Sequence, residues 1–123
     1  CAAALAVMDI MKRDDYAGKA RHIGEVVMKC YKELQEKYPV IGDVRGLGAM
    51  IGIELVKDKE TKEPATELTA KLIQNAIQKG LLLENCGTAG NVVRFLAPLT
   101  MTDEQMEKGL EIFEDSLKEV LEA

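Results

Sequence analysis

Apolar and polar positions along the chain change period twice. From Cys1 to about Lys12, helix formers carry an apolar face at Leu5, Met8 and Met11. Arg13-Asp14-Asp15 interrupts it. From about Tyr16 to Lys37, Tyr16, Ala20, Ile23, Val27, Cys30 and Leu34 recur at alternating steps of four and three. That spacing draws one stripe of a longer helix, which Pro39 closes. The period then falls to two. Val44 lies in one predicted strand and Met50 to Val56 form another, with Ile51, Ile53 and Leu55 on one face and Met50, Gly52, Glu54 and Val56 on the other. Gly46, Gly48 and Gly52 permit a bend or bulge there.

After the charged connection from Lys57 to Pro64, a third helix is predicted from about Ala65 to Lys79. Leu68, Leu72, Ile73 and Ala76 point inward, and Gly80 stops the helix. Leu81-Leu82-Leu83 reads as a short strand, Asn85 to Asn91 as a loop with two glycines, and Val92 to Phe95 as another strand ending near Pro98. Thr102 to Gln105 is a capping box, and the helix behind it carries Met106, Leu110, Phe113, Leu117 and Val120 on one stripe. The order α-α-β-β-α-β-β-α, with strands this short, predicts an α+β domain of two layers. Its small sheet, largely antiparallel because several connections are too short for crossovers, is covered by helices.

Composition narrows the function classes. The 123 residues suit one domain, and 47% apolar with 30% charged residues is an ordinary globular mix. No apolar run is long enough to span a membrane. The net charge of -5 is interspersed, which argues against a nucleic-acid partner. Cys1, Cys30 and Cys86 match no metal spacing, and His22 is the only histidine, so no metal site is expected. Scattered cysteines and the lack of a visible secretory signal predict a reducing, cytoplasmic setting. The chain opens inside a helical pattern, with no initiator Met and no polar cap, which reads as a cut within a longer protein.

Few residues invite chemistry. Arg94 lies inside Val-Val-Arg-Phe-Leu, a strand that otherwise wants burial, and a buried guanidinium requires an acceptor. Two readings stand: an internal ion pair, for instance with Glu54, or an open fork for a ligand carboxylate. Residue type alone favours the ion pair. The glycine-containing loop before it and Pro98 after it favour a site. Cys86 has no histidine to serve it as a base and reads as a wall residue at most. Gly42 to Gly48 lacks the lysine and hydroxyl of a phosphate loop, so Arg45 reads as a salt-bridge residue beside a tight turn. No residue of the chain reads as catalytic.

Two stretches carry a resemblance. Ile41-Gly42-Asp43-Val44-Arg45-Gly46-Leu47-Gly48-Ala49-Met50-Ile51-Gly52-Ile53-Glu54-Leu55 and Asn91-Val92-Val93-Arg94-Phe95-Leu96-Ala97-Pro98-Leu99-Thr100 are similar, in order and separation, to the C-terminal domain of class III aminotransferases. Within that family the motifs resemble those of bacterial 4-aminobutyrate aminotransferases, with acetylornithine and ornithine aminotransferases as the alternative. An autonomous binding module without cofactor is the reading from another class. The resemblance covers essentially the whole chain. One departure is Ala97, where the family pattern often has proline.

The resemblance implies a single C-terminal domain over 1–123. Residues 1–38 would approach from a missing large domain, and 39–123 would form the α/β core. It also implies a homo-oligomeric enzyme that uses pyridoxal 5'-phosphate held by the large domain and acts on amino-acid and 2-oxo-acid substrates. The chain alone would be inactive. Arg94 matches the family arginine that binds the α-carboxylate of glutamate and 2-oxoglutarate.

Overall fold

The computed structural model describes residues 1–122. Four helices, α1 (Ala2–Arg13), α2 (Tyr16–Lys37), α3 (Thr66–Gln78) and α4 (Asp103–Glu122), accompany four strands, β1 (Ile41–Leu47), β2 (Met50–Leu55), β3 (Glu84–Cys86) and β4 (Val92–Phe95). The strands form one sheet in the order β1-β2-β4-β3, and every neighbouring pair is antiparallel. This is the α+β architecture expected. Among the described residues, no helix is long and apolar enough to cross a membrane.

One face of the sheet makes the core. Ile51, Ile53 and Leu55 of β2 and Val93 of β4 are buried together with Ile23, Val27, Tyr31 and Leu34 of α2 and Phe113 and Leu117 of α4. Each strand can do this because alternate residues point to opposite faces. Tyr31 is the hub: its ring lies 5.1 Å from that of Phe113 and stands edge-on to that of Phe95 at 6.5 Å. The stripe of α2 therefore runs through Ile23, Val27, Tyr31 and Leu34, while Cys30, expected on it, is only half-buried. The capping box of α4 forms as read: Gln105 N–H donates to Thr102 Oγ1, and Thr102 N–H to Gln105 Oε1. Helix α1 buries no side chain and leaves Leu5, Val7, Met8, Ile10 and Met11 exposed.

Two expectations are corrected. The third strand is not Leu81-Leu82-Leu83 but Glu84-Asn85-Cys86, three residues further on. Leu81 and Leu83 pack as half-buried residues against the core, and Leu82 is 80% exposed, so the apolar run is a bridge from α3 to the sheet edge. The bulge does not fall at Gly46, Gly48 or Gly52. The register shifts between Ile41 and Asp43, placing the extra residue at Gly42.

Glycine is required where α2 meets the turn of the β1–β2 hairpin. The turn joining β1 to β2 places Gly48 at φ +54, and a Cβ on Gly24 of α2 would lie 2.4 Å from the Gly48 carbonyl oxygen. Helix and turn meet backbone to backbone, which latches the tip of the hairpin down. Gly24→Ala is therefore expected to lower the unfolding free energy by about 1–3 kcal/mol, through overpacking that neither backbone can relieve. Gly109→Ala supplies the control. Its Cβ would meet Leu81 at an ordinary 3.6 Å, and helix propensity then favours the alanine by about 0.5–1 kcal/mol. Denaturant unfolding of the two variants should move the midpoint in opposite directions; equal shifts would show that the close contact is absent in solution.

Candidate functional site

The face of the sheet away from the core carries the polar residues of the strands. Inward packing of Val93 and Phe95 leaves Arg94 on this face by alternation. The register puts Gly52 of β2 opposite Arg94 on one side and Glu84 of β3 opposite it on the other. Gly52 has no side chain, so the sheet beside the guanidinium stem is left low.

The two arginines of this face are held differently. Arg45 donates through Nη1 to Asp43 and to Glu54, each at 2.7 Å. The hydrogen bond to Asp43, then that to Glu54, pushes its pKa further above the ordinary guanidinium value. Glu54 is thus the partner of Arg45, and the internal pair Arg94–Glu54 does not form. Arg94 has one acidic partner among the described residues: its Nη2 donates to Glu84 Oε2 at 2.8 Å. Its Nε is buried with no hydrogen-bond partner. The side chain is 36% exposed, so it is neither a sealed core ion nor a free surface one. A buried N–H without an acceptor costs about 1–3 kcal/mol, and native proteins rarely leave one.

The surroundings are fixed by local bonds. Asn91 Nδ2 donates to the Leu55 carbonyl at 2.8 Å, and Leu55 N–H returns a bond to the Asn91 carbonyl at 2.8 Å. Thr66 Oγ1, at the start of α3, donates to the Ala89 carbonyl at 2.7 Å. The loop between β3 and β4 is therefore tied to the scaffold at its middle and at its β4 end. Next to Arg94 a cavity of about 230 Å³ opens between the Leu81–Glu84 stretch, Phe95 to Pro98 and α4, with an apolar lining. On the open face a shallower recess joins Arg94 to Arg45, Met50, Gly52, Cys86 and Val92. Cys86 is half-buried there as a wall residue, with no base beside it. His22 is exposed and pairs with Asp103 at 2.8 Å, on another part of the molecule.

Glu84 was missed in the sequence because the strand was placed three residues too early. A β3–β4 hairpin centred on Ala89 sets residues 84 and 94 opposite one another.

A partly exposed guanidinium fork can grip a carboxylate by two parallel bonds. A covalent hold on pyridoxal phosphate needs a lysine amine. Neither residues 41–55 nor 84–95 contain a lysine, so this face fits a carboxylate and does not fit that cofactor.

Residues 1–117 match the family described as Aminotransferase class-III. A 5-aminovalerate aminotransferase from Pseudomonas aeruginosa is 45% identical over 120 residues, covering 98% of this chain and 28% of that protein. A 4-aminobutyrate aminotransferase from Escherichia coli is 43% identical over 119 residues, covering 97% of this chain and 28% of its own length. An alanine/serine racemase from Pyrococcus horikoshii is also 42% identical over 120 residues, 98% of this chain and 25% of that protein. Among solved structures, a PLP-bound amine transaminase from an uncultivated Pseudomonas species is similar with a TM-score of 0.84 at 33% identity, over 98% of this chain and 27% of that one. The chain spans about a quarter of the length of these relatives.

The unpartnered Nε predicts a stability effect of unusual sign. Arg94→Met removes the orphaned donor and a single exposed ion pair, and leaves an apolar stem of similar reach. The folded state is expected to gain about 0.5–2 kcal/mol. Thermal or denaturant unfolding measures it, and a clear loss of stability would show that Arg94 is a structural residue.

Proposed function

The chain belongs to the class III aminotransferase family, and on that premise we propose that it is the substrate-carboxylate-binding C-terminal domain of a pyridoxal-phosphate-dependent 4-aminobutyrate:2-oxoglutarate aminotransferase. The observation that carries this reading is the state of Arg94: a partly exposed guanidinium on the open face, beside a glycine, with one exposed glutamate as its acidic partner. On this reading residues 1–38 approach from a large domain and 39–123 form the α/β core. The complete enzyme is a cytoplasmic homo-oligomer acting on amino-acid and 2-oxo-acid substrates.

In such an enzyme pyridoxal phosphate supplies the electron sink when bound. The open face of this chain, without a lysine on its strands, leaves the cofactor to other residues. Its own task is orientation. Removal of a proton from a substrate carbon is fast only when that bond stands in a defined attitude to base and cofactor. Two parallel bonds from Arg94 to the α-carboxylate of glutamate or 2-oxoglutarate fix the direction of the substrate, where a single point charge would let it pivot. The strand beneath is held by the Tyr31–Phe95 contact, so the fork is presented from a rigid element.

The choice of 4-aminobutyrate as donor is supported by the names of the similar proteins from Escherichia coli and Pseudomonas aeruginosa, both of which act on ω-amino acids by those names. Acetylornithine or ornithine as donor is the alternative within the family. The similar racemase shows that related chains also serve amino-acid racemisation.

The test uses the full-length enzyme. It is expected to form glutamate from 4-aminobutyrate and 2-oxoglutarate, and Arg94→Ala is expected to weaken use of 2-oxoglutarate and glutamate by about 2–5 kcal/mol in kcat/KM. Unchanged kinetics with both dicarboxylic substrates would remove Arg94 from the site. Racemisation without amino transfer would overturn the reaction, and transfer only from ornithine or acetylornithine would replace the donor.

A further inference from the structure

We propose that Gly52 is a specificity-determining residue: its missing side chain is the floor on which a carboxylate gripped by Arg94 rests, and a side chain there turns away substrates that carry a carboxylate on the reacting carbon. This deepens the reading of Arg94 as the carboxylate-binding residue and rests on it.

The first support is position. Antiparallel pairing sets Arg45, Gly52, Arg94 and Glu84 in one row across the open face. Neighbouring strands run about 5 Å apart, which puts the backbones of the two arginines about 10 Å from one another with the glycine between them. Both arginines and Gly52 line the recess over this row. Glu84 reaches Arg94 from β3, on the side away from Gly52. The approach to the guanidinium that avoids this anion runs over Gly52, because like charges repel.

The second support is that the backbone does not ask for glycine at this place. Gly52 lies outside the left-handed region that Gly48, Gly80, Gly87 and Gly90 occupy. A Cβ on it would meet only a side-chain methyl, Val92 Cγ1 at 3.2 Å, which has to give by a few tenths of an ångström. At Gly46, by contrast, a Cβ would strike the Met50 carbonyl oxygen at 2.3 Å. A glycine inside a strand weakens it, through backbone entropy and a lost side-chain contact. Packing explains Gly46; what lies above the sheet explains Gly52.

The third support is charge. Arg45 is neutralised by Asp43 and Glu54, so Arg94, with one exposed partner, is the cation this recess offers. Along β2 the same face carries Met50 and Glu54, and the sheet is low only between them. Glutamate and 2-oxoglutarate bear a carboxylate on the reacting carbon and need that space. The reacting carbon of 4-aminobutyrate is a methylene with no carboxylate to lay there. The two half-reactions therefore depend on Gly52 to different degrees.

The experiment is steady-state kinetics of the full-length enzyme carrying Gly52→Ala, with kcat/KM measured for each substrate separately. The values for glutamate and 2-oxoglutarate are expected to fall about ten- to hundredfold, the effect of one methyl group set against a bound substrate, while that for 4-aminobutyrate changes less than about twofold. Equal losses with all three substrates, or no loss with glutamate and 2-oxoglutarate, overturn the proposal. The double variant Gly52→Ala/Val92→Ala removes the one methyl that the new Cβ would meet. It is expected to keep the same split; recovery of glutamate use would show that the loss came from sheet packing, and the proposal falls. The two readings fail separately. If Arg94→Ala leaves both dicarboxylic substrates unaffected, the assignment of Arg94 falls. If Arg94→Ala weakens both and Gly52→Ala does not, only the role of Gly52 falls.

Discussion

The contact of Phe95 with Tyr31 decides which way Arg94 faces. A strand has two faces and a period of two, so one residue anchored inward sets the direction of its neighbours. Phe95 packs edge-on against Tyr31, Tyr31 against Phe113, and Val93 is sealed in the same core. Between two inward residues Arg94 has no choice. A slip of one residue would drive the guanidinium into the aromatic cluster and expose Phe95, so the register of β4 is secured by the most expensive error available to it. The remaining order follows: Gly52 of β2 and Glu84 of β3 are brought to Arg94 by pairing with an already oriented strand.

Most of the fold was legible because both periods are strong. The stripe of α2, the alternation of β2, the Val92–Phe95 strand and the Thr102–Gln105 cap are local patterns with local causes, and they appear where the residues put them. β3 was not legible for a physical reason. A three-leucine run has no alternation, so nothing in it distinguishes a strand from an apolar bridge, and the pairing partner β4 made the choice. The error propagated to the site. Arg94 could be singled out from an arginine among apolar neighbours, but its partner could not be named until the edge strand had moved three residues. Glu54, which looked available, is taken by Arg45 across β1 and β2.

On the proposed reading of Arg94, stability and function pull apart. An apolar residue would fit the strand with no orphaned donor. Rigid surroundings hold the arginine despite that: Asn91 stitched to Leu55, Thr66 to Ala89, and an aromatic core below. A site that grips an anion has to keep donors unspent, and unspent donors are what folding tends to eliminate. Arg45 marks the opposite outcome, a guanidinium held by two carboxylates of its own chain.

The latch between Gly24 and Gly48 bears on how this chain can be lengthened. Hairpin tips are usually where insertions and permuted ends are accepted, because nothing rests on them. Here the tip rests on a helix backbone, so an added residue would have to lift the turn from α2 and carry the β1–β2 edge with it. Leu47 is 90% exposed beside that turn, yet it stands on one of the least adjustable pieces of backbone in the domain. Room for extra sequence lies at the charged connection of residues 57–63, whose side chains face water. A naive choice of fusion point by exposure alone would pick the wrong loop.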